Sequence, residues 1–258
     1  VADETGALGA LQIETIEWEE QDNARFTRGF TSPTLVSIIG GPQGRRVLSV
    51  GCGVGADVET LVELGWDAYG IEPGYRVSGW ERRTCRDRLK LTDGRSLPFG
   101  DASFDAVTSF GVIEHVGAVG DSVEVHPDVH DQRRAFAREV ARVVRPGGAI
   151  IMSTPNRLFP ADFFHHSSRL GFRLHSPREP FSVSYGDFRR LFIDEAGCRA
   201  IRHLSLRNAF VFRRSRRHLW GRVLVPPTRA MLSALGSPAL LPLARSPLNP
   251  FLMVHITR

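Results

Sequence analysis

The stretch that decides the fold runs from Val47 to Glu72, VLSVGCGVGADVETLVELGWDAYGIE. An apolar run, Val47 to Val50, ends in Gly51, Cys52, Gly53, Val54 and Gly55. Apolar residues then recur at helical spacing (Val58, Leu61, Val62) until Gly65, a C-terminal cap signal. A second apolar run closes on Glu72. The pattern predicts strand, glycine turn, helix and strand. Glycines let backbone N–H groups approach a ligand where side chains would block it. An acid at the tip of the second strand can accept both hydroxyls of a ribose. The segment therefore predicts a bound adenosine-type cofactor, and the G-x-G-x-x-A spacing of Gly51, Gly53 and Ala56 alone leaves its identity open.

Outward from this unit, strands and helices alternate. Strands are expected at about 46–50, 67–71, 89–92, 104–110, 149–154, 199–206 and 250–257. Helices are expected at 32–39, 55–64, 74–84 and 131–144, with one more opening on a Ser184/Asp187 capping box and ending at Gly197. Ser32-Pro33 reads as a helix start, and Arg145-Pro146-Gly147-Gly148 as a sharp helix stop. The alternation argues for an α/β fold: a doubly wound, mostly parallel seven-stranded sheet with an antiparallel last strand. The predicted organisation is an N-terminal arm (1–44), a core (45–206), a basic and apolar insert (207–249) and a final core strand (250–258).

The chain of 258 residues, 42% hydrophobic, has the length of one domain with an elaboration. Three widely spaced cysteines, Cys52, Cys85 and Cys198, suggest neither a disulfide framework nor a zinc site. The opening VADETGALGA lacks a basic then apolar leader, so no signal peptide is expected. The uncharged stretch from Ala230 to Ala244 is about 15 residues and holds two prolines, short of the roughly 20 apolar residues of a spanning helix. The net charge of +5 conceals an asymmetry. From Ala196 onward there are eleven arginines and no acid.

Four blocks in order, VLSVGCGVG (47–55), GIEP (70–73), TDGRSLPFGDASFDAVTSFGVIEHV (92–116) and EVARVVRPGGAIIMSTPN (139–156), resemble the seven-stranded S-adenosylmethionine (SAM)-dependent methyltransferases. The resemblance is nearest to the branch that includes menaquinone and ubiquinone biosynthesis enzymes. It implies SAM as cofactor, with Gly51, Gly53 and Gly55 lining its methionine portion and Glu72 holding the ribose hydroxyls. Asp93 would accept from the adenine amino group, with Gly94 and Arg95 adding backbone contacts. Ser109 and Phe110 would sit beneath the sulfonium. The family usually has an acid where this chain has Ser49.

Methyl transfer from a sulfonium needs alignment above all, and a base only where the acceptor is a protonated heteroatom. His115, after the fourth strand, is one candidate base. His165 and His166 are others, within a polar cluster (Asn156, Arg157, Asp162, His165, His166, Arg169, His175, Tyr185) after the fifth strand. Asn156, Arg157 and Tyr185 are expected to contact the acceptor. A divalent-metal reading of Glu114, His115, His126 and His130 lacks its first acid at Gly111, and no metal centre is expected. The expected reaction is O-methylation of a small-molecule or glycan acceptor, lipid-linked molecules included. Arginines interleaved with aromatics at 207–222 suit peripheral contact with an anionic membrane; the three cysteines fit a reducing compartment, and a cytoplasmic location is expected. Nucleic acid is disfavoured. An RNA methyltransferase and a non-catalytic docking protein are the rival readings.

Overall fold

The computed structural model describes residues 10–120, 122–165, 172–205, 226–227, 230–231, 233–234, 240 and 243–258. His166 and the arginine-rich stretch 207–222 lie outside them. Seven strands form the main sheet: β1 (Arg46–Val50), β2 (Asp67–Glu72), β3 (Leu89–Leu91), β4 (Phe104–Phe110), β5 (Val144–Pro155), β8 (Ala200–His203) and β9 (Phe251–Thr257). Their order is β3-β2-β1-β4-β5-β9-β8. The first five are parallel, and β9 runs antiparallel between β5 and β8. A separate two-stranded ladder joins β6 (Ala161–Asp162) to β7 (Arg173–Leu174).

Side-chain alternation sorts the core onto two faces. Val47, Ala106, Ile151 and Met253 pack with α2 (Ser32–Ile39) and α3 (Ala56–Glu63) on one face. Leu48, Val107, Ile150 and Val254 pack on the other, beneath α4 (Val129–Val143) and α5 (Tyr185–Phe188).

The predicted strands and the Ser184 capping box are all present. Three local expectations change. Ser32 is not a helix start, because α1 (Ala10–Phe26) continues through a π-helical turn, Thr27–Thr31, into α2, and Thr31 is itself helical. The arm is pinned instead by tertiary contacts, among them Trp66 Nε1 donating to Ser32 Oγ at 3.0 Å. The segment after β2 is 3-10 helical, Tyr75–Arg82; a Cβ at Gly79 would lie 3.0 Å from Val54, so it rests directly on the glycine turn. The helix does stop before Arg145, α4 ending at Val143, but the chain passes straight into β5 from Val144 and not from 149, with an irregular register opposite Phe104 and Ala106. Buried Asp105 holds that corner, accepting from Arg45 Nη1, Arg46 N and Arg145 Nη2 at 2.7, 2.8 and 2.7 Å.

The antiparallel edge carries two buried histidines. His203 lies beside Asn249 (3.2 Å), and His255 Nδ1 accepts from Arg202 Nε (2.8 Å). Burial, then a nearby arginine charge, pushes each down to about 4. Above pH 6.5 both folded and unfolded histidines are neutral. Between 6.5 and 4 the unfolded chain takes up protons that the folded chain refuses, so stability falls with pH. Each histidine is expected to remove about 2 kcal/mol by pH 5. Thermal melting at pH 7, 6 and 5 checks this: His255→Gln should flatten the decline, and a pH-independent midpoint would contradict it.

Candidate functional site

The loops after β1, β2 and β4 leave the sheet at one edge, where open α/β sheets place ligands. Gly51, Gly53 and Gly55 all have positive φ (79°, 53° and 76°). The turn is closed by Gly51 and Cys52 N–H groups donating to Ile71 O at 2.9 Å. Glu72 is buried, its Oε2 accepting from Gly53 N at 3.2 Å and its Oε1 from Gly74 N at 3.1 Å. Burial pushes its carboxyl up, against the opposing Arg76 charge and the two amides. Each oxygen keeps a second lone pair for a ligand hydroxyl.

Asp93 is bonded by its own neighbour: Arg95 N and Nε reach Oδ1 at 2.8 and 2.9 Å, and Arg95 Nη2 reaches Oδ2 at 2.6 Å. These bonds outweigh partial burial and hold its carboxyl below the usual range. Gly94 packs against Phe136, which a Cβ would meet at 2.7 Å. Ser109 is buried, and its Oγ has no partner among the described residues. Phe110 is partly buried. It meets Phe26 edge-on, ring centroids 5.0 Å apart, and packs near Phe30, so the arm lies against the ring expected beside the cofactor. Ser49 donates to Asp57 Oδ2 at 2.5 Å; burial raises Asp57 to about 6.

His115 and His165 come together across 50 residues, Nε2 to Nε2 at 3.1 Å. His165 Nδ1 lies 3.0 Å from Asp162 Oδ2. The β6–β7 ladder holds Asp162 opposite Arg173, whose Nη2 lies 3.2 Å away. Asp162 has no exposed side chain. Burial would raise its carboxyl, but the His165 bond and charge, with two amides, hold it far below the usual range. Phe181 walls the pair, edge-on to both rings.

The carboxylate fixes the tautomers. Asp162 only accepts, so His165 Nδ1 carries hydrogen; in the form of the pair where His165 is neutral, its Nε2 accepts from His115 Nε2–H. That leaves the lone pair of His115 on Nδ1. Burial, then His165 and Arg76, pushes His115 down to about 4, so it is neutral at pH 7. Glu114 beside it is fully buried, with both oxygens unpartnered among the described residues. Glu114, His115 and His165 offer ligand atoms within 4.8 Å of one another, a set that excludes His126 and His130.

The three residues expected on the acceptor are engaged within the protein. Asn156 Nδ2 donates to Ser246 O and Asn249 O at 3.0 and 2.8 Å. Arg157 pairs with Asp187 at 2.7 Å. Tyr185 donates to Ile201 O at 3.0 Å. Their polarity ties the end of β5 and the start of α5 to the antiparallel edge. Sequence reasoning missed Glu19, Arg76 and Arg133 as site residues. Nothing local marks them, since each acts on a segment distant in sequence.

Residues 48–152 match a family model described as a methyltransferase domain. A probable S-adenosylmethionine-dependent methyltransferase of Mycolicibacterium smegmatis is 34% identical over 116 residues, covering 45% of this chain and 40% of the relative. The demethylmenaquinone methyltransferase of Renibacterium salmoninarum is 33% identical over 122 residues, covering 46% and 45%. The chain thus matches less than half the length of these curated relatives. Among solved structures, a sugar N-methyltransferase from Streptoalloteichus superposes with a TM-score of 0.52 at 17% identity, covering 80% of this chain and 91% of that one, a likeness of fold. The match spans most of β1 to β5 of the seven-stranded sheet. Among the described residues, no helix is long and apolar enough to cross a membrane.

Proposed function

We propose that this chain is a SAM-dependent methyltransferase that acts on a hydroxyl of a small molecule or glycan, lipid-linked acceptors included. The observation that carries the cofactor half is the buried Glu72 carboxylate bonded to the N–H of Gly53, which couples the ribose acceptor to the glycine turn. The residues fit the group. Glycines with positive φ form the turn, and a buried carboxylate oxygen of Glu19, without a partner among the described residues, lies against it. Bound SAM supplies an electrophilic methyl on a sulfonium. Glu72 and the Gly51–Gly55 turn orient the donor, and Asp93, once released from Arg95, receives the adenine amino group.

His115 serves as the base in this reading. Its Nδ1 takes the acceptor proton, while Asp162 and His165 fix the ring. Chain segments 1–44, 207–249 and 250–258 are assigned as arm, insert and last strand around the 45–206 core. The stretch 207–222 is assigned to an anionic membrane surface.

Calorimetric titration with S-adenosylhomocysteine tests the cofactor half. Glu72→Gln is expected to weaken binding by about tenfold or more, since a bond to a charged group is lost. Unchanged affinity in that variant sinks the site. A labelled-methyl screen over small-molecule, glycan, lipid and RNA fractions tests the acceptor half; labelling confined to RNA would favour the nucleic-acid rival.

A further inference from the structure

The acid that this fold is expected to carry at the end of β1 is Ser49 here, and Asp57 does not stand in for it. Asp57 is spent on Ser49 Oγ and on Val58 N, at 2.5 and 2.8 Å. A different carboxylate reaches the turn, from the N-terminal arm. Glu19, on α1, is buried. An alanine Cβ at Gly53 would come within 2.6 Å of Glu19 Oε2 and 3.4 Å of Arg76 Cδ, so both side chains lie against the glycine.

Arg76 Nε donates to Glu19 Oε1 at 2.7 Å. Glu19 Oε2 is left buried and without a partner among the described residues. One turn further along the same helix, Asp22 is buried too, with neither oxygen partnered among the described residues. Three unpaired acidic oxygens out of water are costly unless a cation completes them. Arg76 uses only Nε on Glu19, and its Nη groups make no hydrogen bond to another described residue. A negative and a positive group side by side, each with unused bonding capacity, are complementary to a zwitterion.

We propose that Glu19 and Arg76 form a clamp for the amino-acid end of SAM, with Glu19 Oε2 accepting from the α-ammonium and the Arg76 Nη groups donating to the α-carboxylate. The proposal rests on the SAM reading above. Asp22 adds negative potential on the ammonium side. The arm thereby completes the cofactor site, supplying from α1 the acid that β1 lacks.

Titration with three ligands tests it: S-adenosylhomocysteine, its deaminated analogue and its decarboxylated analogue. The wild-type chain is expected to prefer the intact ligand over each analogue by about tenfold to a hundredfold, the worth of one charged hydrogen bond. Glu19→Gln should lose the preference over the deaminated analogue and keep the other. Arg76→Met should do the reverse. Binding of the matching analogue at wild-type strength also shows that the variant pocket is folded. Preferences unchanged in both variants, or all three ligands weakened alike, would make the pair a structural strut and overturn the clamp. A wild-type chain that binds none of the three would overturn the SAM reading itself.

Discussion

Replacing His115 by alanine is expected to lower kcat by about a hundredfold to ten-thousandfold, the usual worth of a positioned base. S-adenosylhomocysteine affinity should stay within about threefold, because none of the bonds at Glu72 or the glycine turn involves His115. The loss follows from the chain Asp162–His165–His115, linked at 3.0 and 3.1 Å. With Asp162 accepting from His165 and His165 neutral, the uncommitted lone pair of these two rings is on His115 Nδ1. When that nitrogen takes a proton, the Nε2 proton can pass to His165, next to the buried carboxylate. Asp162→Asn should therefore lower kcat as well, by more than it raises KM, because an amide can donate to His165 and reverse its tautomer.

The pH profile separates a base from a packing residue. His115 must be neutral to accept, and it is pushed down to about 4. Activity should stay level from pH 8 to about 5 and fall only as pH approaches 4, well below the inflection of an exposed histidine near 6.5. The profile is read as initial rates with stability monitored in parallel, since the buried histidines of β8 and β9 weaken the fold in the same range. Full turnover in His115→Ala at saturating acceptor would remove His115 from the chemistry.

Arg133→Met is the second large effect, and it acts on stability. Arg133 is buried on α4 and donates to four backbone carbonyls. Nε reaches Val116 O at 3.3 Å, Nη1 reaches Pro180 O at 2.7 Å, and Nη2 reaches Glu114 O and Phe181 O at 2.9 and 2.6 Å. One guanidinium thus joins the His115 loop to the segment that carries Phe181. Burial pushes it down to about 10, against the charges of Glu114 and Asp187, so it stays cationic at neutral pH.

Removing it leaves these carbonyls short of a donor and takes away one of the positive charges near buried Glu114, whose carboxyl burial pushes up. The expected cost is about 3–5 kcal/mol, on the order of 10 °C in melting midpoint for a chain of this size. Adding Glu114→Gln should recover part of the loss, because the buried carboxyl beside the lost cation is then an amide that cannot ionise. A melting midpoint unchanged in Arg133→Met would show that the four bonds carry no net stability.

The sequence by itself determined the strands, the glycine turn, the acid at Glu72 and the Ser184 capping box. Each is a local signal: alternation over a few residues, a positive-φ turn that favours glycine, or a cap three residues from its partner. It also showed that Ser49 breaks the expected pattern, without showing what replaces the acid. The helix start at Ser32-Pro33 misled because that local signal is also tolerated inside a continuous helix once tertiary packing holds it. Only the tertiary structure decided the site's composition. It brought Glu19 to Arg76 across 57 residues, His115 to His165 across 50, and Arg133 to Phe181 across 48. It also consumed Asn156 on carbonyls 90 and 93 residues away. Whether a polar side chain serves a ligand or the fold depends on which distant groups occupy its lone pairs and protons, and no local pattern carries that information.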